Sequence, residues 1–286
     1  MASSAHPVDG RDGSPDHCAM ISTASRDLTL ILVPGLLCDA RVWASQCAAL
    51  ADLADVHVSD PGMLDSLPAM ARSILASAPP RFAIAGHSMG GRIALEVFRL
   101  APERVIGIAL MDTGHHPLPS GLAGDAEKAG RFRLLDTARR EGMRAMARKW
   151  VQGMVHPARL GDTALVEGIL DMFESKSADM YAAQIRALLE RPDGGPLIRR
   201  IRCPALVLCG HEDSWSPVQR HREMADAIPG SLFVDIPDCG HMVTLEQPAV
   251  VNEAMRTWLR AVIESQRHAQ PMGAIAQRAA GGGARR

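Results

Sequence analysis

An α/β fold, a mostly parallel sheet with helices on both faces, is predicted by two features of this sequence. Apolar runs of strand length recur between helical patterns, and those runs are apolar throughout instead of alternating. Strands of that kind are buried on both faces, as the strands of parallel sheets are. A third feature is size: 286 residues at 47% hydrophobic content supply one large core.

Leu28 to Val33 is the first run, and Pro34-Gly35 closes it. A helix is expected from Arg41 through Leu53, on the apolar positions Val42, Trp43, Cys47 and Leu50, followed by a short strand at Val56 to Val58 and a helix over Met70 to Ala76. Phe82 to Ala85 has strand character, and a helical pattern of Ile93, Ala94, Val97 and Phe98 follows the turn Gly86-His87-Ser88-Met89-Gly90. Val105 to Met111 is the next buried strand and ends at Asp112. Composition then changes. From Pro117 to Ile198 only helical segments are found: Asp125 to Arg140, Glu141 to Met154, Asp162 to Ser175 and Ser177 to Arg191. Sheet pattern resumes with Ala205 to Cys209, a helix over Pro217 to Ala227, a strand at Leu232 to Ile236 and a last helix from Pro248 to about Glu264. The chain thus divides into a core over residues 27–116 and 199–265 and an all-helical insertion over residues 117–198. Residues 1–26 and 266–286 are rich in Gly, Ser, Pro and Ala without periodicity, and both are expected to be disordered.

A formal net charge of -1 gives no footing for nucleic acid or a membrane surface as partner, and 3% aromatic content gives no platform for stacking bases. The six cysteines (Cys18, Cys38, Cys47, Cys203, Cys209, Cys239) lack paired spacing and are read as reduced. There is no basic start followed by an apolar stretch, nor any run of about twenty apolar residues. A cytoplasmic protein is expected.

The turn at Gly86 to Gly90 carries the chemistry. Strand, sharp turn and helix in direct succession put a serine on a strained backbone, with glycines where the strand and helix pass too close for a Cβ. The turn pushes the Ser88 hydroxyl out of the sheet edge and aims the first free helix N–H groups at the same space. A serine hydroxyl needs a base within reach, and the base needs a carboxylate to fix its tautomer. His241, in Asp238-Cys239-Gly240-His241-Met242, and Asp213, in Gly210-His211-Glu212-Asp213, both follow strands at their carboxyl ends, where open α/β sheets place their sites. Asp112 also follows a strand and competes with Asp213 as the acid. Glu212 is read as a solvated neighbour and His87 as packing beside the turn. His115-His116 reads as a hinge rather than a metal pair, because no third ligand has suitable spacing.

With Ser88, Asp213 and His241 in that chain order, and with LVPGLLCDARVW, GHSMGG, GHEDSWSP and DCGHM spread over residues 32–242, the sequence resembles the α/β-hydrolases. It is similar to their capped branch of carboxylesterases, haloperoxidase-like esterases, pimeloyl-carrier methyl esterases and meta-cleavage C–C hydrolases. The resemblance implies an α/β-hydrolase fold with a helical cap, Ser88 as nucleophile, His241 as base and Asp213 as orienter. By position it implies an oxyanion hole from the backbone N–H groups of Leu36 and Met89. Two departures stand out: Pro34-Gly35 replaces a His-Gly pair, and the sheet starts at what is usually the third strand. The function expected is hydrolysis of small or medium carboxylic esters, without metal or organic cofactor. Alternatives are a C–C bond hydrolase, a thioesterase or carrier-bound methyl esterase, and a non-catalytic receptor on the same scaffold. Dehalogenase and epoxide hydrolase readings are disfavoured, since those relatives carry a carboxylate in place of Ser88.

Two readings of the insertion complete the expectations. Its inner face is expected to bound a closed, largely aliphatic pocket, with Met143, Met146, Met154, Met172 and Met180 either lining it or packing the cap. Arg133, Arg140, Arg144 and Arg148, with Arg131, Arg139 and Lys149 nearby, form either a solvated stripe or a docking surface for an acidic carrier protein.

Overall fold

The computed structural model describes residues 28–269; the expected N-terminal segment, Cys18 and the end of the expected tail lie outside them. Six strands form one sheet in the order β2-β1-β3-β4-β5-β6, and all five pairings are parallel. In chain order they are β1 (Thr29–Val33), β2 (Asp55–Val58), β3 (Phe82–His87), β4 (Val105–Met111), β5 (Ala205–Gly210) and β6 (Leu232–Ile236). Every residue of β3, β4 and β5 is buried, as their unbroken apolar runs require, whereas the edge strands β2 and β6 are partly exposed. The chain leaves β1 for the β2 edge and then returns to β3 on the other side of β1. Their carboxyl ends therefore open a crevice between loops that depart in opposite directions.

The helices of the first half are α1 (Ala44–Leu50), α2 (Leu67–Ser77) and α3 (Met89–Leu100). A 3-10 turn over Ala40–Trp43, capped by the Asp39 side chain, replaces the first turn of the helix expected from Arg41, and α1 stops at Leu50. Between β4 and β5 the chain is helical throughout: α4 (Leu122–Glu141), α5 (Met143–Trp150), α6 (Thr163–Glu174), α7 (Ala178–Leu189) and the short α8 (Gly195–Ile198). Gly142, at φ 93°, breaks α4 from α5 in a conformation that a side chain would resist. Asp162 and Ser177 accept hydrogen bonds from Leu165 N and Met180 N, fixing the starts of α6 and α7.

The last helices are α9 (Val218–Ala227), α10 (Val243–Glu246) and α11 (Pro248–Ala269). Trp258, Leu259 and Val262 anchor α11 in the core, and the helix runs past residue 266, where a disordered tail was expected to begin. Arg267 and His268 lie in its last turn, where the helix dipole favours the Arg267 cation.

Candidate active site

Ser88 follows β3 directly and has φ 55° and ψ −116°, a strained conformation for a residue with a side chain. Three contacts hold it there. Ser88 N donates to Met111 O at 2.8 Å, and Thr113 Oγ1 donates to Ser88 O at 2.6 Å. The glycines permit the third, a close approach of strand and helix: a Cβ on Gly86 would lie 2.2 Å from Gly90 O, and one on Gly90 would lie 2.1 Å from Val33 O.

The strained turn brings Ser88 Oγ to 2.8 Å from His241 Nε2, and His241 Nδ1 lies 2.7 Å from Asp213 Oδ2. Asp213 is itself fixed, because its Oδ1 accepts from Trp215 N and Ser216 N, each at 2.9 Å. A buried carboxylate on Nδ1 leaves Nε2 free to accept the serine proton. Burial pulls the His241 pKa down, yet the charge and hydrogen bond of Asp213 outweigh it and hold the imidazole above its ordinary 6.5. The same pair keeps Asp213 below the usual carboxylate range despite its burial. Leu36 and Met89 border the same cavity, and neither amide donates to an acceptor among the described residues.

Asp112 does different work. Fully buried, it accepts from Gly210 N at 3.0 Å and Val243 N at 3.2 Å, tying the end of β5 to the segment after His241. His87 Nε2 lies 2.7 Å from His241 O and 3.4 Å from Asp112 Oδ2, so it braces the base from behind. Glu212 is not merely solvated, since it accepts from Cys239 N at 3.0 Å.

Several supporting residues had no signal in the sequence. Buried Gln184 on α7 accepts from Leu37 N at 2.8 Å and donates to Gly62 O at 3.1 Å, holding the loop after β1. Buried His221 on α9 accepts from Thr113 N at 2.9 Å; burial lowers its pKa to about 4, which keeps that nitrogen free of a second proton. Glu246 accepts from His156 N, Gly240 N and Met242 N, wrapping the His241 loop, while His241 N donates to Met154 O at 2.7 Å.

The cavity above Ser88 holds about 840 Å³. Trp150, Phe173 and Trp215 line it beside the aliphatic Leu36, Leu134 and Leu188, with Trp150 and Trp215 stacked at 5.4 Å and Trp215 4.9 Å from the His241 ring. Of the five methionines named above, Met154 borders the cavity, while Met143, Met146 and Met172 are buried in the core. The arginine stripe also splits. Arg131 and Arg133 line the cavity, and Arg144 is held by Glu167, Asp171 and Glu174 of α6.

Burial pushes the Cys209 and Cys239 thiols up, away from reactive thiolate. Among the described residues, His115, His116 and Glu223 place donor atoms within 4.8 Å of one another, as do His156, Glu212 and Asp238. Glu223 of α9 is thus the third donor that sequence spacing did not offer. Neither set includes Ser88, His241 or Asp213.

The family model described as "Alpha/beta hydrolase family" matches residues 30–254, which span every strand from within β1 and all three residues of the hydrogen-bonded chain. The chain belongs to the alpha/beta hydrolase family. This hydrolase is 31% identical over 203 residues to a putative non-heme bromoperoxidase, BpoC, of Mycobacterium tuberculosis, covering 65% of the present chain and 70% of that one. Among solved structures it is similar to a thermophilic esterase from Thermogutta terrifontis, bound to malate, at 30% identity and TM-score 0.72, covering 82% and 90% of the two chains. The enol-lactonase of Burkholderia xenovorans LB400 shares the fold at 23% identity and TM-score 0.71, with 82% and 91% covered. No described helix of this hydrolase is long and apolar enough to cross a membrane.

Proposed function

We propose that this protein is a serine esterase that cleaves carboxylic esters of small or medium acyl groups through an acyl-enzyme, with α4 to α7 as the cap over its site. The observation that carries the reading is the hydrogen-bonded chain from Ser88 Oγ through His241 to Asp213, at 2.8 Å and 2.7 Å, at the mouth of a cavity. Ser88 Oγ attacks the ester carbonyl as its proton passes to His241 Nε2, and Asp213 stabilises the imidazolium. The tetrahedral oxyanion forms beside the Leu36 and Met89 amides, whose hydrogens are not engaged by the described residues. His241 then returns the proton to the departing alkoxide, and water repeats the sequence to release the acid. The likeness to an esterase at 30% identity supports the reaction class.

Incubation with a fluorophosphonate, followed by peptide mass spectrometry, tests the reading. The adduct is expected on Ser88, together with turnover of short esters that Ser88→Ala lacks. Labelling of a different serine, or full turnover in Ser88→Ala, removes the assignment; a protein that binds esters without labelling is a receptor.

A further inference from the structure

The cavity that opens on Ser88 is lined with more positive charge than its own carboxylates offset. Arg92, one helical turn beyond Ser88 on α3, Arg131 on α4, Arg191 after α7 and Arg220 on α9 all border it, with Glu127 on α4 among them. Glu127 is shared by two of these. Arg191 grips both of its oxygens at 2.7 Å and 2.8 Å, while Arg131 places two nitrogens on Oε1 at 3.0 Å and 2.9 Å. Of these four, that leaves Arg92 and Arg220; Arg133 of α4 also borders the cavity. Each donates to one backbone carbonyl, Arg92 to His116 O at 2.8 Å and Arg220 to Trp215 O at 3.2 Å, and neither has an ion pair among the described residues.

The two unpaired guanidinium groups converge. A Cβ built on Gly114 would lie 2.8 Å from Arg220 Cδ, 3.0 Å from Arg92 Nη2 and 3.4 Å from Arg220 Nη1, so both side chains flank Gly114. Holding two cations there is unfavourable without an anion: burial, then repulsion by Arg191 and Arg220, lowers the Arg92 pKa to about 9. Glu127, the carboxylate that acts on Arg92, is already gripped by Arg131 and Arg191, and Glu223 of α9 faces His116 at 3.6 Å. An arginine pair with spare donors, bordering the cavity that opens on Ser88, is suited to a planar, bidentate anion.

We infer that Arg92 and Arg220 bind a carboxylate carried by the substrate away from the scissile bond, so that the preferred substrates are half-esters of dicarboxylic acids. The inference rests on the serine-esterase reading for its reaction and on the arginine pair for its specificity. A neutral diester of the same length would leave both cations unpaired and should react more slowly.

The test compares monomethyl with dimethyl esters of dicarboxylic acids of four to eight carbons, by methanol release. The expected ratio of kcat/KM is roughly 10- to 100-fold in favour of the monoester, the factor that charge-assisted hydrogen bonds supply. Arg92→Gln and Arg220→Gln, on different helices and each checked by thermal melting, should bring the ratio toward one through KM. Arg92→Lys, which keeps the charge, should retain part of it. Calorimetric binding of the monomethyl ester to Ser88→Ala supplies a readout independent of turnover, and Arg220→Gln in that background should weaken it to a similar degree. A wild-type ratio of one, or a ratio that survives both glutamine variants, overturns the inference even when Ser88 is labelled and esters are cleaved. Conversely, arginine-dependent binding without Ser88 labelling overturns the esterase reading and leaves the anion site standing.

Discussion

Asp213→Asn and Asp112→Asn separate two buried carboxylates that compete for one role. In Asp213→Asn the side-chain oxygen can still accept from Trp215 N and Ser216 N, so the loop keeps both hydrogen bonds. The new amide NH₂, however, faces His241 Nδ1, where the carboxylate stood at 2.7 Å. It forces Nδ1 to accept, which puts the imidazole proton on Nε2, opposite the hydroxyl it must deprotonate. The loss expected is about 10⁴ in kcat, equivalent to about 5 kcal/mol, with little change in melting temperature. Asp112→Asn should behave in the opposite way. Its two oxygens accept from Gly210 N and Val243 N, and an asparagine serves only one of them. A buried N–H left facing an NH₂ costs about 1–3 kcal/mol, and for a chain of this size each kcal/mol lowers the melting temperature by roughly 2–4 °C. A fall of roughly 2–12 °C with less than about tenfold loss of kcat is therefore expected. Steady-state kinetics on one short ester, with matched calorimetric scans, measures both. A thousandfold loss in Asp112→Asn at unchanged melting temperature would refute the reasoning and move the acid to β4.

Further outcomes follow from the same geometry. The limb of kcat/KM that rises with pH should reflect His241 losing its proton, since only the neutral imidazole can accept one; its midpoint should lie above the ordinary histidine value of 6.5 in the wild type and move down in Asp213→Asn, where the attracting charge is gone. Gln184→Ala removes the acceptor for Leu37 N and frees the loop that presents the Leu36 amide. Losing that buried bond, worth about 1–3 kcal/mol, should lower kcat roughly tenfold or more with KM little altered, and a raised KM with kcat unchanged would assign Gln184 to substrate binding instead.

The sheet was legible because a strand buried on both faces leaves an unbroken apolar run, and β1, β3, β4 and β5 each did so. Ser88, His241 and Asp213 were legible for a related reason: their positions just after strands are set by local chain order, and the glycines of the turn report the close approach at Val33. What stayed hidden depends on long-range contact. Gln184 lies 147 residues from Leu37, and His221 lies 108 from Thr113. A lone glutamine or histidine on a helix carries no mark of the partner that tertiary packing will bring. The arginines show the same limit, since helical spacing placed them on one stripe while the carboxylates of α6 hold Arg144, and Arg131 and Arg133 line the cavity. The ends of α1 and α11 were misjudged where a side-chain cap or a polar but helix-favouring segment decided the boundary.

The stitching of the helical excursion to the catalytic loops bears on how molecules come and go. Residues 154–156 are tied to the histidine loop through Met154 O, and through Glu246, which also accepts from His156 N. Gln184 fastens α7 to the loop after β1. If all five helices swung aside as a unit, the base would leave the nucleophile and the Leu36 amide would lose its support at each turnover. Traffic with solvent is better served where Pro117 and Pro119 border the cavity ahead of α4. That doorway would adjoin the arginine pair, so an incoming anion would meet its counter-charge before its carbonyl meets the serine.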